Sequence, residues 1–529
     1  MRNFIRKIWG HSLALNQSEL SLTNSIMHKW LPLFFAMSCH RTHRGVPLDF
    51  INNPFLKQIY ADESPDAGVM KSTQCGLSEY ILCREIALAC SGRNIFHVLP
   101  TDRLIGRFVR ERMDKTIEAT QKYKDIVKQT KSADNITMKQ FGAGTIVFVG
   151  SNSESSFAEF PADDAIIDEF DRCDQKNVLM VDDRLSASQY RTKFTIANPT
   201  VTDYGIHKLW KDSKQYEWFV KCPHCGEWVH PNFFEHVVEQ VEDTVWTLRD
   251  TEWDRDSKRD ILAICKCGKP LDLRADGKWV AGNGKSDRSF YHVSKMFSTM
   301  VSVKDLCDAF NKGLENDEAM ARFYNSDLGL PYTPKGAKFT DDTLNQCISD
   351  YILPNKCERP CISGVDVGTV LHCRVNEILP DGSEKAVFFG ELRDVEELAW
   401  VCHNFNIVAG VIDAMPEQRL SKRVSQWKGW LRCFFQSPRA QDNLNLQNMT
   451  VSVNRTELID SVKAKFDEKR CYLPKNAQTI KHYYEHMKAL TRVFNEARNE
   501  YDWVGDGADH YLFAEVYMAV ARRILGKLE

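Results

Sequence analysis

The first half of the fold is decided by the stretch Lys71-Ser-Thr-Gln-Cys-Gly-Leu-Ser78. A short apolar run, Gly68-Val-Met70, precedes it, and a helical apolar repeat follows it to about Cys90. A strand, a tight loop and a helix N-terminus in this order form a cradle of backbone N–H groups for a phosphate. The stretch therefore predicts a nucleotide-binding loop.

The loop departs from the usual pattern G-x-x-x-x-G-K-[ST]. Gly76 and Ser78 are in place, but Lys71 stands at the first glycine position and Leu77 at the usual lysine position. A long lysine side chain at the start of the loop can reach the β- and γ-phosphates from the other side, and Ser78 can bind Mg²⁺. On these residues alone, a Ser/Gly turn that opens an ordinary helix remains an alternative.

A second apolar strand, Ala165-Ile-Ile-Asp-Glu-Phe170, ends in two acids. We expect Asp168 to hold Mg²⁺ and Glu169 to act as the base that orients the attacking water. The alternative is a strand that merely ends in solvated acids. Strands alternate with helices through this part of the chain, which predicts a mainly parallel sheet of the P-loop ATPase type. The segment Thr195–Asn198 follows the next strand, where a γ-phosphate sensor can lie.

Four cysteines form two close pairs, Cys222-Pro-His-Cys225 and Cys265-Lys-Cys267, and a glycine follows each pair. Tight turns let two sulfurs meet one ion, and four thiolates suit tetrahedral Zn²⁺. Thiols packed in a core are the alternative, but residues 216–290 are polar and show little periodicity. We predict a structural zinc site in an insertion there. Two histidines are possible substitute ligands: His224 and His230.

A second α/β block in the order β-β-β-α-β follows and carries three acids at marked positions. Asp366 interrupts an apolar strand, where an acid costs free energy unless it is paired or metal-bound. Asp413 ends the strand expected beside it, and Asp509 precedes a helix with an apolar face. Together these acids can bind two Mg²⁺ or Mn²⁺ ions for phosphodiester cleavage, as in a ribonuclease-H-like nuclease. Singly, each acid is more simply a cap or a surface residue.

Some further residues are weaker candidates for these sites. Asp506 is an alternative to Asp509, and Glu417 and His510 are candidate assistants. Several basic residues are candidates for phosphate contacts, although a solvated helix face explains them equally well: Arg455, Lys463, Lys465, Lys469 and Arg470.

The composition excludes several classes of protein. The 529 residues are 43% hydrophobic and 27% charged, which excludes a collagen, a coiled coil or a wholly disordered chain. The net charge of −3 neither implies nor excludes nucleic acid, so any DNA-binding surface must be a local patch. No apolar run reaches the roughly 20 residues of a membrane span, and no secretion signal is recognised. The 17 cysteines fit reduced thiols, so we expect a soluble intracellular protein.

Two upstream segments complete the pattern: Gly45-Val-Pro-Leu-Asp-Phe50 and Asn53-Pro-Phe-Leu56. With the loop and its displaced lysine, the Ile-Ile-Asp-Glu-Phe strand, the Cys-Pro-His-Cys-Gly segment and the late Asp509-His510, they resemble the large terminase subunit of tailed bacteriophages. The resemblance is to the branch that includes the phage lambda enzyme, and it covers about residues 45–525. A displaced lysine at the start of the loop is typical of that family.

The resemblance implies an ATP-driven motor that translocates double-stranded DNA into a procapsid, fused to a metal-dependent endonuclease that cuts concatemers. The implied partners are double-stranded DNA, a small terminase subunit, the portal ring and further copies of the chain during packaging. The implied location is the host cell cytoplasm, transiently on the procapsid and not in the mature virion. The trans-acting arginine has three unranked candidates, Arg103, Arg107 and Arg110, and Gln58 is a candidate adenine contact.

The resemblance also implies the roles of the site residues. ATP phosphates and Mg²⁺ are bound by Lys71, Gly76, Ser78 and Asp168, and Glu169 serves hydrolysis. Zinc is bound by Cys222, Cys225, Cys265 and Cys267, and the nuclease metals are bound by Asp366, Asp413 and Asp509. We expect four parts along the chain. An N-terminal segment at 1–44 makes a partner contact, and an ATPase domain at 45–335 contains a zinc-binding insertion at about 216–290. An exposed linker at 336–354 leads to a nuclease domain at 355–529.

Three other functions stay open at this point. A DNA-repair helicase-nuclease would share both sites but should show further helicase motifs, and none is seen. A recombinase-like nuclease with a degenerate ATPase half would lack DNA-stimulated ATP hydrolysis. A zinc-bearing scaffold would have no activity that mutation of the five acids could remove.

Overall fold

The computed structural model describes residues 31–48, 50–128, 135–158, 160–242, 245–256, 258–298, 300–334, 336–436, 441–495, 500–505 and 507–527. The chain divides into two compact units, one up to Pro334 and the other from Lys335. Within these residues, no helix combines the length and the apolar character that crossing a membrane requires.

The first unit is built on a sheet that has ten strands in the described part of the chain, in the order β13-β7-β14-β1-β6-β5-β2-β4-β3, with β8 paired to β7. The strands of this unit are β1 (Asp66–Lys71), β2 (Ile95–Leu99), β3 (Met138–Phe141), β4 (Gly144–Gly150), β5 (Asp164–Asp168), β6 (Thr192–Ala197), β7 (Tyr216–Lys221), β8 (Trp228–Val229), β9 (Val238–Glu242), β10 (Val245–Leu248), β11 (Ala263–Ile264), β12 (Pro270–Leu271), β13 (Gly277–Ala281) and β14 (Ser289–Val293).

Helices cover this sheet. They are α1 (Leu31–Ser38), α2 (Leu56–Tyr60), α3 (Leu77–Cys90), α4 (Asp102–Phe108), α5 (Asp114–Ala119), α6 (Gln121–Lys128), α7 (Gln175–Leu179), α8 (Val181–Leu185), α9 (Gly205–Lys211), α10 (Phe233–His236), α11 (Val303–Gly313) and α12 (Asp317–Arg322), and π-helical turns cover Val109–Met113 and Phe323–Leu328.

The central strands of this sheet are parallel, from β4 through β2, β5, β6, β1 and β14 to β7. All residues of β2 and β5 are buried, as expected for strands with helices on both faces. The predicted parallel α/β fold is therefore confirmed. In such a sheet the carboxyl ends of neighbouring strands open at one edge, where ligands bind.

The sequence predicted a separate zinc-binding insertion at about 216–290. In the structure, this cysteine-bearing stretch is partly integrated into the main sheet. Its first strand, β7, pairs with β13 and with β14, so both ends of the stretch extend the main sheet. Among the strands described in this stretch, those of the small hairpins β9–β10 and β11–β12 lie outside that sheet. The sequence shows little periodicity here because the strands are short and half-exposed.

The second unit contains a sheet with eight strands in its described residues, in the order β20-β21-β19-β18-β15-β16-β17-β22. The strands are β15 (Cys357–Val367), β16 (Leu371–Ile378), β17 (Glu384–Leu392), β18 (Phe405–Asp413), β19 (Trp430–Gln436), β20 (Asn443–Asn445), β21 (Thr450–Asn454) and β22 (Cys471–Tyr472), with a separate hairpin of β23 (Thr491–Asn495) and β24 (Glu500–Val504). The helices are α13 (Asp341–Asn345), α14 (Val395–Asn404), α15 (Gln418–Val424), α16 (Arg455–Asp467), α17 (Tyr483–Met487) and α18 (His510–Ile524).

The predicted order β-β-β-α-β is confirmed as β15, β16, β17, α14 and β18. Strands β15, β16 and β17 form an antiparallel meander, and β18 lies parallel to β15 on its other side. The Asp394 carboxylate caps α14 by accepting a hydrogen bond from the Glu397 N–H. Helix α18 packs against the sheet at Gly364, where a Cβ atom would lie 2.0 Å from the Ala514 carbonyl oxygen. Glycine therefore permits the close approach of helix and strand.

The expected exposed linker at 336–354 is wrong. Phe339, Leu344 and Cys347 are buried in the core of the second unit. Backbone bridges join Lys338 to Thr491 and Ile348 to Leu473. Pro331, Pro334 and Gly336 suggested an exposed segment, but the apolar side chains that follow them anchor it to α16 and its neighbours.

Candidate functional sites

The predicted phosphate loop lies between β1 and α3, at the carboxyl edge of the parallel sheet. Gly76 precedes the helix in a left-handed conformation, with φ of 79°, which a glycine adopts at little cost. The Ser72 N–H donates to the Val293 carbonyl at 2.8 Å, and the Thr73 N–H and hydroxyl both donate to the Ser326 carbonyl. The start of the loop is therefore held by β14 and by the π-helical turn at Phe323–Leu328.

Lys71 connects the loop to the two neighbouring strands. Its Nζ lies 2.8 Å from Asn198 Oδ1 and 3.3 Å from Glu169 Oε1. Glu169 follows β5 and Asn198 follows β6, so the tips of three adjacent strands meet at one ammonium group. The side chain of Lys71 is largely buried, which strengthens its interactions with these acceptors. Asn198 also donates from Nδ2 to the Asn325 carbonyl at 3.2 Å.

The two acids after β5 have opposite electrostatic environments. Burial, followed by the charge of Glu169, raises the pKa of Asp168. Burial also acts to raise the pKa of Glu169, but Lys71 and Arg172 outweigh it and hold that pKa below its ordinary value. Glu169 is thus kept as a carboxylate, the form that a general base requires. Its φ of 55° places it in the left-handed region, which is uncommon outside glycine.

The other residues predicted for the nucleotide site take these positions. Ser78 is half-buried in the first turn of α3, and Gln58 is exposed on α2. Arg103, Arg107 and Arg110 are all exposed, the first two on α4 and the third in the π-helical turn that follows it.

The second unit brings Asp366, Asp413 and Asp509 together. Asp366 lies on β15, Asp413 at the end of the adjacent β18, and Asp509 immediately before α18. Burial, and then repulsion from Asp366, raises the pKa of Asp509, and burial raises the pKa of Asp413 to about 6, again with a contribution from Asp366. Acids that shift each other's pKa in this way share one site. Excess negative charge of this kind favours a bound cation.

Three histidines surround Asp366: His510, a candidate from the sequence, and His372 and His486, which the sequence prediction passed over. His510 Nδ1 lies 2.8 Å from Asp366 Oδ2, and the ring of His372 stacks on that of His510 at 4.5 Å. His372 is opposite Asp366 in the β15–β16 register. One ligand atom from each of these three residues lies within 4.8 Å of the others. His486 packs against both histidine rings. His372 could have been noticed in the sequence, because it lies on the strand that directly follows the tight turn at 368–370.

Burial favours the uncharged form of His372 and His486, whereas the hydrogen bond with Asp366 raises the pKa of His510. Burial lowers the pKa of His372 and of His486 to about 4, with repulsion from His510 as the next cause in each case. Nδ1 of His372 and Nδ1 of His486 are buried without a hydrogen-bond partner. A neutral imidazole with a free nitrogen is the form that ligates metal ions.

The four cysteines converge as predicted. The Cys222 and Cys267 sulfurs are 3.9 Å apart, as are those of Cys225 and Cys265, and all four lie within 4.8 Å of one another. Zinc–sulfur bonds of about 2.3 Å in a tetrahedron give sulfur separations of about 3.8 Å. Backbone N–H groups of Cys225 and His224 lower the pKa of the Cys222 thiol to about 7. His224 is exposed and is not part of this cluster, nor is His230.

Several weaker candidates have other roles or positions. Lys463 pairs with Asp467, and Lys465 pairs with Glu384 and Glu515, so the expectation that these two lysines contact phosphate is wrong. Arg455 donates to the Trp503 carbonyl at 2.9 Å. Glu417 is exposed, as are Lys469 and Arg470. Asp506 and residues 1–30 of the predicted N-terminal segment lie outside the described residues.

Comparisons with known families agree with these sites. Residues 51–274 match the family described as phage terminase large subunit gpA, ATPase domain. Residues 288–375 match the family described as terminase large subunit gpA, endonuclease domain. The first range includes Lys71 and Glu169, and the second includes Asp366, while Asp413 and Asp509 lie beyond it. The chain belongs to the terminase large subunit family.

Solved structures of large terminases resemble this chain to different degrees. The large terminase of bacteriophage HK97 has the same fold: it is 11% identical and superposes with a TM-score of 0.54, over 93% of this chain and 99% of that one. A large terminase from a thermophilic bacteriophage is 12% identical over 88% and 94% of the two chains, with a TM-score of 0.30. The ATPase domain of the Thermus phage P74-26 large terminase is 9% identical over 56% and 95%, with a TM-score of 0.32. No curated protein matches the sequence.

The function follows at the level of the family. The chain is an ATPase and a DNA endonuclease of a phage DNA-packaging motor. A repair helicase-nuclease or a recombinase with a degenerate ATPase half is not favoured, because both matched families are terminase domains.

Proposed function

We propose that the site around Lys71 hydrolyses ATP to move double-stranded DNA into a procapsid, and that the site around Asp366 cuts the concatemer. The observation that carries the proposal is the meeting of Lys71, Glu169 and Asn198 at the tips of three adjacent parallel strands. A phosphate-binding cation and a hydrolytic carboxylate thereby face the same space, although the sequence pattern of the loop is irregular.

In the nucleotide site, Lys71 binds the β- and γ-phosphates, and the loop that ends at Gly76 supplies backbone N–H donors. Ser78 and Asp168 would hold Mg²⁺, which neutralises charge on the phosphates. The oxygen donors of these two residues fit that ion. Glu169 orients the attacking water and accepts its proton. The ion pair between Lys71 and Glu169 has to break when the phosphates bind, because the ammonium group then turns to them.

In the nuclease site, Asp366, Asp413 and Asp509 would hold Mg²⁺ or Mn²⁺. Burial, with repulsion from Asp366 added to it, raises the pKa values of Asp413 and Asp509, and a cation at this set of donors would offset both effects. Such ions activate water and stabilise the leaving oxygen of a phosphodiester. His510 shares a hydrogen bond with Asp366, which orients that carboxylate.

The remaining assignments are proposals of the same kind. Cys222, Cys225, Cys265 and Cys267 fit Zn²⁺ by donor type and by sulfur spacing. We place the ATPase domain at 45–335 and the nuclease domain at 355–529, with the segment 336–354 packed into the core of the second unit. We assign residues 1–44 to a partner contact, except for Leu33, Phe35 and Ala36, which are buried in the core of the first unit. The partners are a small terminase subunit, the portal ring and further copies of this chain, and the place of action is the host cell cytoplasm.

The test uses two variants of the full chain, each of which should lose one activity and keep the other. Lys71→Ala should abolish DNA-stimulated ATP hydrolysis and leave metal-dependent nicking of supercoiled plasmid intact. Asp366→Ala should abolish nicking and leave ATP hydrolysis intact. A matched control is Lys193→Ala, because in the described residues the Lys193 side chain pairs with the exposed Asp182 and with no residue of the nucleotide site.

Each outcome has a definite meaning. Loss of both activities in either variant, with the fold retained by circular dichroism, would contradict the assignment of separate sites. ATP hydrolysis that survives Lys71→Ala would remove this lysine from the phosphate site. Nicking that survives Asp366→Ala would place the nuclease chemistry elsewhere.

A further inference from the structure

The ATPase unit contains a second group of metal-ligand side chains, away from the four cysteines and the nucleotide loop. Glu217 lies on β7, His230 directly after β8, and His292 on β14. One ligand atom from each lies within 4.8 Å of the others. The group joins three strands, so its geometry depends on the sheet and not on one flexible loop.

The register of the sheet explains why these residues meet. Tyr216 and Tyr291 are direct partners in the parallel β7–β14 ladder, and their rings stack at 4.7 Å. Glu217 and His292 are the next residues on these strands, so both project from the opposite face of the sheet. Strand β8 pairs with β7 and brings His230 to the same face.

Both histidines are already oriented by backbone carbonyls. His230 Nδ1 bonds to the Trp218 carbonyl at 3.0 Å, and His292 Nε2 bonds to the Leu328 carbonyl at 3.0 Å. A carbonyl can only accept, so each ring nitrogen at that bond carries the proton. The other nitrogens, Nε2 of His230 and Nδ1 of His292, then carry free lone pairs. Metal-binding histidines are held in this same way.

The third member has no competing partner. Glu217 is half-buried, and its carboxylate makes no hydrogen bond or ion pair within the part of the chain that the structure describes. A carboxylate that is partly removed from water without a partner costs free energy, and a cation would offset that cost. His292 is almost completely buried, and its Nε2 is already bonded to a carbonyl, so Nδ1 is the ring nitrogen available as a ligand.

We infer that Glu217, His230 and His292 form a binding site for a transition-metal ion of the Zn²⁺ type. Two imidazoles and one carboxylate suit Zn²⁺ and its neighbours, whereas Mg²⁺ prefers oxygen ligands only. Three protein ligands leave a coordination position open. The Leu328 carbonyl that accepts the His292 hydrogen bond lies in the π-helical turn at Phe323–Leu328, which also accepts a hydrogen bond from Thr73. A bound ion would therefore stabilise the segment that contacts the phosphate loop.

Cobalt titration of the metal-free full chain tests the site. Thiolate-bound Co²⁺ gives strong charge-transfer absorption in the near ultraviolet, whereas a nitrogen and oxygen site gives only weak visible bands. We expect Glu217→Gln, which keeps the side-chain size, to lose one tightly bound Co²⁺ per chain with the charge-transfer absorption unchanged. Bound Co²⁺ should also raise the thermal unfolding temperature less in this variant than in the parent.

Two further variants complete the design. His230→Gln should reproduce the loss, and His224→Gln, an exposed histidine of the same segment, should not. The inference is overturned if the parent, Glu217→Gln and His230→Gln bind equal amounts of Co²⁺. Absence of charge-transfer absorption in the parent would refute the cysteine site alone, because the Glu217 site is measured by the difference in bound Co²⁺ between the parent and the two variants.

Discussion

Lys71 and Glu169 form an ion pair across the nucleotide site, with Nζ 3.3 Å from Oε1, although they are 98 positions apart in the sequence. The pair joins the start of the phosphate loop to the carboxylate proposed as the base. It also keeps Glu169 ionised, because the nearby ammonium lowers the pKa of Glu169. We therefore expect the Glu169 carboxylate to be ionised before the nucleotide binds.

The first prediction concerns this carboxylate. Glu169→Gln should reduce the kcat of DNA-stimulated ATP hydrolysis by about 10²-fold or more, the usual contribution of a general base. Nucleotide affinity should stay close to that of the parent, because Lys71 is then freed for the phosphates. Steady-state ATPase assays and binding of a fluorescent ATP analogue measure the two effects. Glu118→Gln, an exposed acid of the same unit, is the control; an unchanged kcat in Glu169→Gln would contradict the role.

The second prediction separates a metal-binding residue of the nuclease from an orienting residue. Asp509→Asn should remove plasmid nicking, whereas His510→Gln should reduce it by about 10- to 100-fold, the usual effect of losing a partner of a metal ligand. A rise in Mn²⁺ concentration should restore part of the activity of His510→Gln only. Nicking rates at several Mn²⁺ concentrations test this. Asp350→Asn serves as control because that side chain is 97% exposed. Equal losses that metal cannot restore would argue against the distinction.

The third prediction concerns the four cysteines. Cys225→Ser and Cys267→Ser should each lose the zinc that remains after dialysis of the parent, because each removes one of four thiolates. Because the surrounding hairpins are small, we also expect faster proteolysis between β8 and β13 in these variants. Elemental analysis and limited proteolysis are the measurements. Cys357→Ser lies outside the cluster and should retain the metal. Unchanged zinc content in both variants would refute the site.

The fourth prediction concerns stability of the nuclease unit. Arg374 Nη2 lies 2.6 Å from Glu515 Oε1, and neither side chain is exposed. Lys465 reaches the other carboxylate oxygen of Glu515 at 3.3 Å. Glu515→Ala would leave the buried Arg374 without its carboxylate partner and Lys465 with Glu384 alone, so we expect it to lower the free energy of unfolding by about 3–5 kcal/mol.

Urea denaturation measures this change, and a surface pair provides the control. Glu457 pairs with Arg523 at 3.1 Å, but its side chain is 60% exposed. Glu457→Ala should therefore cost at most about 1 kcal/mol. Similar losses in the two variants would show that the buried pair contributes no more than a solvated one.

Much of each unit was predictable from local patterns. The runs at 94–100, 164–168 and 361–367 are strands because continuous apolar segments are buried on both faces of a sheet. The Asp394 cap of α14 was predictable because a capping box needs only residues three apart. The pairing of the cysteines was predictable because short spacing and glycine turns suffice to bring sulfurs together. The anchoring of the segment 336–354 was not, since its few buried residues find their partners only in the folded second unit.

The sequence by itself determined the succession of strands and helices, the displaced lysine, the acids at strand ends and the cysteine pairs, because these depend on residue type and short spacing. Only the tertiary structure decided that Asn198 and Glu169 share Lys71, that His372 lies beside Asp366, and that Glu217, His230 and His292 meet. These contacts depend on strand order and register, which bring together residues far apart in the chain. No local pattern encodes that register, because it is set by the packing of the whole sheet.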